Sequence, residues 1–533
     1  MYVHTRSVAD KVFEVWRSPG RFTKNPDIVR LPSGRLLLVY SDTDAHWSLE
    51  SQIMMLLASD DGGRTWSKHR EVVRHDLDKG DGRLLTPRLS LLDDGRVVVL
   101  VDQDDFSHFH EEQPPGILAF WSDDGGDTWS EGQETGIKGF EPDRVMDLPD
   151  GRLAVASQLM RGETMEYAEI FSCSEDGGET WYEQATIAYD GYHRFCEGAI
   201  VVLDGGKELA CVLRESHCTG IPSFVAFSSD MGRTWSEPQM MPFAIHRPYA
   251  RQLPDGRVLV TGRHVNGGLG TYAWCGDLKA EAGEWQVGGP AKEHTAELTA
   301  EALVIDNRPG HECRYSLLPP ESSLSEILLE GTLSVEGPSG ESVAFLSVAG
   351  LIPDGTVVEI ASNGVMLAEG KHNMRVPADM TGERTVAIHH RRGMLEVSVD
   401  GEILIRYRVK REGQTLDDRS GGNPAKRTQF GQLGETGRSL WRRVSYSVKN
   451  QTLDDVEWSW DVSDGVLPDE YQRTRMVQIH ANDPDQKPSP DHGYTSWLHL
   501  ADGRIMLVDY TNCGDEPGRS HLVGVHLDPA DIL

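Results

Sequence analysis

Cysteine is scarce in this chain of 533 residues: there are seven, an odd number, and none forms a Cys-x-x-Cys pair. That excludes a disulfide framework or a zinc ribbon and fits reduced thiols. No run of eighteen apolar residues occurs, and Met1-Tyr2-Val3-His4-Thr5-Arg6 leads into polar sequence rather than an apolar leader. A membrane-spanning helix and a secretory signal are therefore not expected, and the cytoplasm is the expected location. Basic residues are few as well: 52 Lys and Arg stand against 84 Asp and Glu, for a formal net charge of −32. A surface of that sign repels nucleic acid and anionic membranes, so neither is expected as a partner. An acidic sugar remains possible where the pocket alone is basic.

What the chain has is a repeat. Ser59-Asp60-Asp61-Gly62-Gly63-Arg64-Thr65-Trp66 returns with the pattern S-x-D-x-G-x-T-W at Ser122, Ser174 and Ser228. A recurrence of this size, at steps of roughly 50 to 60 residues, signals a repeat architecture. The Asp can accept backbone N–H groups across a tight loop and the Gly permits positive φ, so the boxes are expected to hold hairpins rather than to do chemistry. A second repeat runs beside them. Apolar strands flank turns at Ser33-Gly34, Asp94-Gly95, Asp150-Gly151, Gly205-Gly206, Asp255-Gly256 and Asp502-Gly503. One such hairpin plus one box hairpin makes a four-stranded antiparallel sheet. Six of these predict an all-β, six-bladed β-propeller. The segment before Arg21 has no hairpin of its own and is expected to add an outer strand to the last blade, which removes exposed edges.

The last two turns lie far more than one blade apart. Short alternating strands between them, such as Thr385-Val386-Ala387-Ile388-His389, predict an inserted β-sandwich between blades five and six. The expected division is 1–290 for blades one to five, 291–450 for the insert and 451–533 for the rest of the propeller. Residues 409–428 read as a loop. On pattern the insert resembles concanavalin-like or laminin-G-like lectin modules, which implies a carbohydrate-binding accessory or a lid; a dimer contact or spacer is the plainer reading. Trp441 is a candidate sugar platform, although a core Trp fits as well.

In a blade the first hairpin's turn lies on one face of the disc. The start of its first strand and the end of its second then surround the axis on the other face. This places Lys24, Asn25, Asp42, Asp44 and His46 of blade one there, with Arg88, Asp102, Asp104 and Asp105 of blade two. Blade three offers Glu141, Asp143, Arg144 and Arg161, and blade four Arg194, Glu197, Arg214, Glu215 and His217. Blades five and six supply His246, Arg247, Arg263, His264, His492, Tyr494, Asp509 and Asn512. Arginines gathered in a chain of −32 suggest a local site for an anionic group such as a carboxylate. Asp102, Asp104, Asp105, His108 and His110 are also spaced as metal ligands can be, but acidic loops are common in such a chain, and neither a metal nor a cofactor is expected.

The repeated boxes on six hairpins resemble the sialidase (neuraminidase) superfamily of glycoside hydrolases. The resemblance implies an exo-acting hydrolase that releases a terminal acidic sugar from an oligosaccharide or glycoconjugate by a retaining mechanism. It further implies Tyr494 as nucleophile, Glu197 as its base, Asp42 or Asp44 as acid/base, and Lys24, Arg214 and Arg263 as carboxylate ligands, with Arg247 a rival to Arg263. Arg88, Arg144, His217 and His264 are further substrate-binding candidates. A Tyr suits an anionic substrate better than a carboxylate nucleophile, which would repel it. The sequence departs from the family where Phe22-Thr23-Lys24-Asn25-Pro26 puts a Lys in place of the first Arg, because a Lys cannot form a bidentate clamp. His46, His193, His217, His246, His264 and His492 suit proton abstraction near neutral pH. They keep open a uronate-directed lyase, with His or Tyr as base, or another glycosidase on the same fold. A non-catalytic sugar-binding propeller is the third reading.

Overall fold

The computed structural model describes all residues except 1–5, 49, 68–69, 105–115, 162–165, 217–220, 267–268, 291–294, 350–355, 370–371, 410–426, 484–485, 487–488, 515–518 and 533. The chain is all-β, with only short helical turns between its strands. Six small antiparallel sheets account for both ends of the chain, and two larger sheets for its middle.

The first small sheet shows the plan. Strands Phe22–Arg30 and Leu36–Thr43 meet at Gly34, and Ser51–Ser59 and Arg70–Asp76 follow in order. The turn glycines Gly34, Gly95, Gly151, Gly206, Gly256 and Gly503 have φ between 87° and 92°. Only Gly adopts that conformation without a Cβ penalty, which is why the six turns were visible in the sequence. The boxes connect the third and fourth strands. In each the Ser hydroxyl bonds the Asp carboxylate, which in turn takes the Thr amide and hydroxyl; in the first box Thr65 Oγ1 donates to Asp61 Oδ2 at 2.6 Å.

A buried or half-buried hydrogen bond marks every junction between successive sheets. Leu89 N donates to Asp27 Oδ2 (3.0 Å), Glu141 N to Asp102 Oδ2 (3.0 Å), Ile200 N to Asp143 Oδ2 (2.9 Å) and Arg247 N to Glu197 Oε2 (2.9 Å). Thr261 and Thr495 share a hydroxyl bond of 2.7 Å, and Ile28 N donates to Ser496 Oγ at 3.2 Å. The series thus returns to the first sheet. Four of the six junctions use a carboxylate to satisfy an amide that the inner strand would otherwise bury unpaired. The strand Phe13–Trp16 pairs with His521–Leu527 as the outermost strand of the sixth sheet, as expected.

The larger sheets have eight and six strands and share one hydrophobic core, which includes Leu329, Val444 and Trp441 from one and Leu346, Val358 and Phe430 from the other. Their position corrects the expected layout. Strand Met476–Ala481 pairs with Gly270–Gly276 as the fourth strand of the fifth sheet. The insertion therefore interrupts that sheet after its third strand instead of following it. Its expected end at 450 is early too, because Val456–Asp461 still pairs with Arg438–Lys449. Trp441 is fully buried in this core, so it offers no face to a sugar. Of the loop 409–428, residues 410–426 lie outside the described residues.

Candidate functional site

The inner strands are not straight where they enter the centre. Pairing with the second strand slips between Lys24 and Asp27, between Cys196 and Ala199, and between His246 and Tyr249. At these bulges Asn25, Glu197 and Arg247 take φ of 52°, 50° and 50°, and Glu141 takes 47° at the corresponding place in the third sheet. A left-handed non-glycine residue costs on the order of 1–3 kcal/mol and persists only where its surroundings hold it. Here the hold is visible: the amides of Glu141, Glu197 and Arg247 are taken by Asp102, Gln158 and Glu197. The bulge turns a polar side chain into the centre, as bulges near functional sites do.

A cavity of ≈ 280 Å³ opens there, walled by Lys24, Asn25, His46, Trp47, Glu141, Gln158, Tyr167, Glu197, Arg214 and Tyr494, among others. Tyr494 Oη donates to Glu197 Oε1 at 2.7 Å, and Arg214 Nη1 lies 2.8 Å from the same oxygen. Burial works against charge on Glu197, but the Arg214 and Arg247 guanidiniums outweigh it and hold the carboxyl below the usual range. Burial, then the Glu197 charge, pushes the Tyr494 phenol well above its ordinary value. The Arg247 and Arg263 guanidinium carbons stand 5.4 and 5.3 Å from the Tyr494 ring centre. Arg263 also donates to Asp491 Oδ1 at 3.0 Å and to the His492 carbonyl at 2.7 Å.

Lys24 Nζ donates to the His46 carbonyl at 2.5 Å. Burial pulls its amine down to about 8, although Asp491, Asp102 and Glu141 favour the cation. Burial, and next the charge of Glu197, raises the Glu141 carboxyl to about 8. Arg247 Nη1 is 3.9 Å from Glu141 Oε2.

Other expected residues lie elsewhere. Asp42 is buried against Arg21, whose Nε is 2.5 Å from Oδ1, and Asp44 takes the Ser48 hydroxyl; neither walls the cavity. Arg88 and Arg144 are buried and do not wall it. Arg88 is 3.5 Å from Asp143, and Arg144 donates to the Ile200 and Ala250 carbonyls and stacks 4.8 Å over Tyr249. His264 is buried against Tyr272, with ring centres 4.6 Å apart. Of the six candidate histidines, His46 alone among the described residues walls the cavity, and its Nδ1 is 2.5 Å from Asp491 Oδ2. His217 lies outside the described residues, as do Asp105, His108 and His110. Asp102 spends its carboxylate on the amides of Thr86 and Glu141, and among the described residues no three acidic, His or Cys side chains are grouped to hold a metal.

Three contributors escaped the sequence reading. Trp47, 55% exposed, presents a ring at the cavity wall and packs edge-on to His46. Asp491 ties His46 to Arg263, and Glu141 was seen near the axis but given no role. The missed signal was the Pro after the bulge in Asn25-Pro26, Glu141-Pro142 and Arg247-Pro248.

A family model described as BNR repeat-like domain matches residues 4–139 and 106–280, together more than half of the chain. No curated protein matches it. Among solved structures, the chain is similar to a Trypanosoma rangeli sialidase at 13% identity and TM-score 0.38, over 85% of this chain and 96% of that one. A Hadza microbial sialidase, Hz136, gives 20% and 0.41 over 52% and 58%. An α-L-arabinanase of Penicillium chrysogenum, complexed with arabinobiose, gives 17% and 0.40 over 56% and 92%.

Proposed function

The chain belongs to the BNR repeat-like domain family, and from that premise we propose that it is a glycoside hydrolase built as a six-bladed β-propeller with an inserted β-sandwich, releasing a terminal acidic sugar from a glycan. One observation carries this reading: the Tyr494 hydroxyl points at Glu197 Oε1 from 2.7 Å at the wall of the central cavity. A phenol is a poor nucleophile until its proton has somewhere to go. When Glu197 takes that proton, negative charge moves from the carboxylate to the phenolate and stays among Arg214, Arg247 and Arg263. The field that favours charge on Glu197 then favours it on Tyr494, so the transfer needs little rearrangement.

Tyr494 Oη bonds the anomeric carbon as the glycosidic C–O bond breaks, and water later cleaves the aryl glycoside with retention. The small cavity fits one terminal unit rather than the middle of a polymer. Lys24 and Arg214 at its wall supply positive charge for a sugar carboxylate, and the open face of Trp47 supplies a stacking surface. A lyase, with imidazole as base, would rest on the His46–Asp491 pair alone among the described histidines.

The test is mass spectrometry of products from a panel of sialylated and uronate-containing oligosaccharides. Products that together gain one water support the hydrolase. Products with no added water and new ultraviolet absorbance mean elimination and overturn it. No turnover across the panel overturns the acidic-sugar assignment.

A further inference from the structure

We propose that Glu141 is the proton donor to the leaving oxygen, the role that the family resemblance implies for Asp42 or Asp44. The inference rests on the hydrolase reading above and names a residue that reading leaves open. Geometry favours it over the earlier candidates, since Asp42 is held by Arg21 and neither Asp42 nor Asp44 walls the cavity. Glu141 does wall it, with 22% of its side chain open. Its backbone is locked in the left-handed conformation by the Asp102 carboxylate, which fixes where the side chain starts.

Its surroundings favour a neutral carboxyl. Glu197, Asp102 and Tyr494 face it with negative or potentially negative charge, while Arg247, Arg214 and Lys24 oppose them. Tyr167 and Cys196 are further titratable neighbours among the described residues. Burial and Glu197 prevail, so the group keeps its proton up to about pH 8. A neutral carboxyl beside an ionised one, in one cavity, is how environment divides acid from base between two carboxyl groups.

The steps balance. As the glycosidic bond breaks, its electron pair goes to the leaving oxygen, which takes the Glu141 proton. The Glu141 carboxylate then removes a proton from water, whose oxygen bonds the anomeric carbon and expels the Tyr494 phenolate. Tyr494 recovers its proton from Glu197.

The experiment compares wild type and Glu141→Gln on 2,4-dinitrophenyl and methyl glycosides of sialic acid and of glucuronic acid. An acidic phenol leaves without help, whereas methanol needs a proton. The variant should lose about 10²-fold or more in kcat/KM on the methyl glycosides, within the range for general acid catalysis, and less than about tenfold in kcat/KM on the aryl ones, since that ratio covers only the steps up to loss of the aglycone and not the later attack of water. The alkaline limb of wild-type kcat/KM near pH 8 should become shallower, because Glu141 and Lys24 both titrate there and only Lys24 remains in the variant. Equal losses in kcat/KM on both leaving groups, at matched melting temperature, would mean that Glu141 merely braces Arg247 and would overturn the proposal. A wild type inert toward all four compounds overturns the hydrolase reading, and this one with it. Infrared titration supplies a readout without substrate: a protonated-carboxyl band absent from Glu141→Gln should fade near pH 8, and its absence from wild type at pH 6 also overturns the assignment.

Discussion

Glu197 accepts the Tyr494 hydroxyl on one oxygen and the Arg247 amide on the other, at 2.7 and 2.9 Å. One carboxylate thus serves as the proposed base and as the tie between the fourth and fifth sheets. Chemistry and architecture are coupled at this point, and substitutions must be read with both in mind.

Glu197→Ala should abolish turnover and also destabilise. Removing one member of a buried ion pair strands the other, at about 3 kcal/mol or more. Arg214 would lose its carboxylate and the Arg247 amide its acceptor. Denaturant unfolding should show a lowered midpoint; an unchanged midpoint would separate the two roles.

Tyr494→Phe isolates the chemistry. It deletes one hydroxyl and keeps the ring between Arg247 and Arg263. Stability should shift by only about 1 kcal/mol, while kcat falls by at least ~10³-fold, as when a nucleophile is removed. Turnover at the wild-type rate would rule out the Tyr nucleophile.

Lys24 is expected to trade stability for binding. Its folded-state amine sits at about 8, against an ordinary 10.5. Between those values the folded protein has shed a proton that the unfolded chain keeps. The penalty of burying the cation is therefore full below about pH 8 and is relieved as pH climbs to 10.5. Lys24→Met should melt above wild type at pH 7, with the margin shrinking toward pH 10.5. In the same variant KM for an acidic sugar should rise more than kcat falls. A wild-type melting advantage at pH 7 would contradict this account.

The boxes should matter to stability alone. Asp124 is drawn from 3.8 to about 2 by the Thr128 hydroxyl and amide. A carboxyl lowered on folding stabilises fully above its unfolded value, and the effect is lost as pH falls through about 2. Asp124→Ala should lower the melting temperature at pH 7 and leave KM and kcat unchanged. A changed KM would connect the box to the site.

The fold was legible wherever one residue type was forced. Positive φ at six turns demanded Gly, and the box loops demanded Ser, Asp and Thr in fixed order, so both repeats could be read directly. The division of the fifth sheet was not legible, because no box follows Gly270–Gly276 to announce a missing fourth strand. At the site, proximity to the axis was readable and direction was not. Asp42 and Lys24 sit on facing strands at nearly the same height, yet one meets Arg21 and the other the cavity. Strand alternation decides this case, since Lys24 stands one place beyond Thr23, the partner of Asp42, and so leaves the opposite face; the bulge follows it, and its trace was the Pro after Asn25, as after Arg247.

The pairing of Phe13–Trp16 with His521–Leu527 bears on how the protein is made. The strand that completes the sixth sheet is synthesised long before its partner and must wait for it while five other sheets and the insertion are made. Four sheets can fold as they emerge, whereas the fifth waits for a strand beyond the insertion and the sixth joins strands from widely separated parts of the chain. Completion of the fifth and sixth sheets is thus a late event of high contact order, slow by nature and exposed to aggregation until the edges meet.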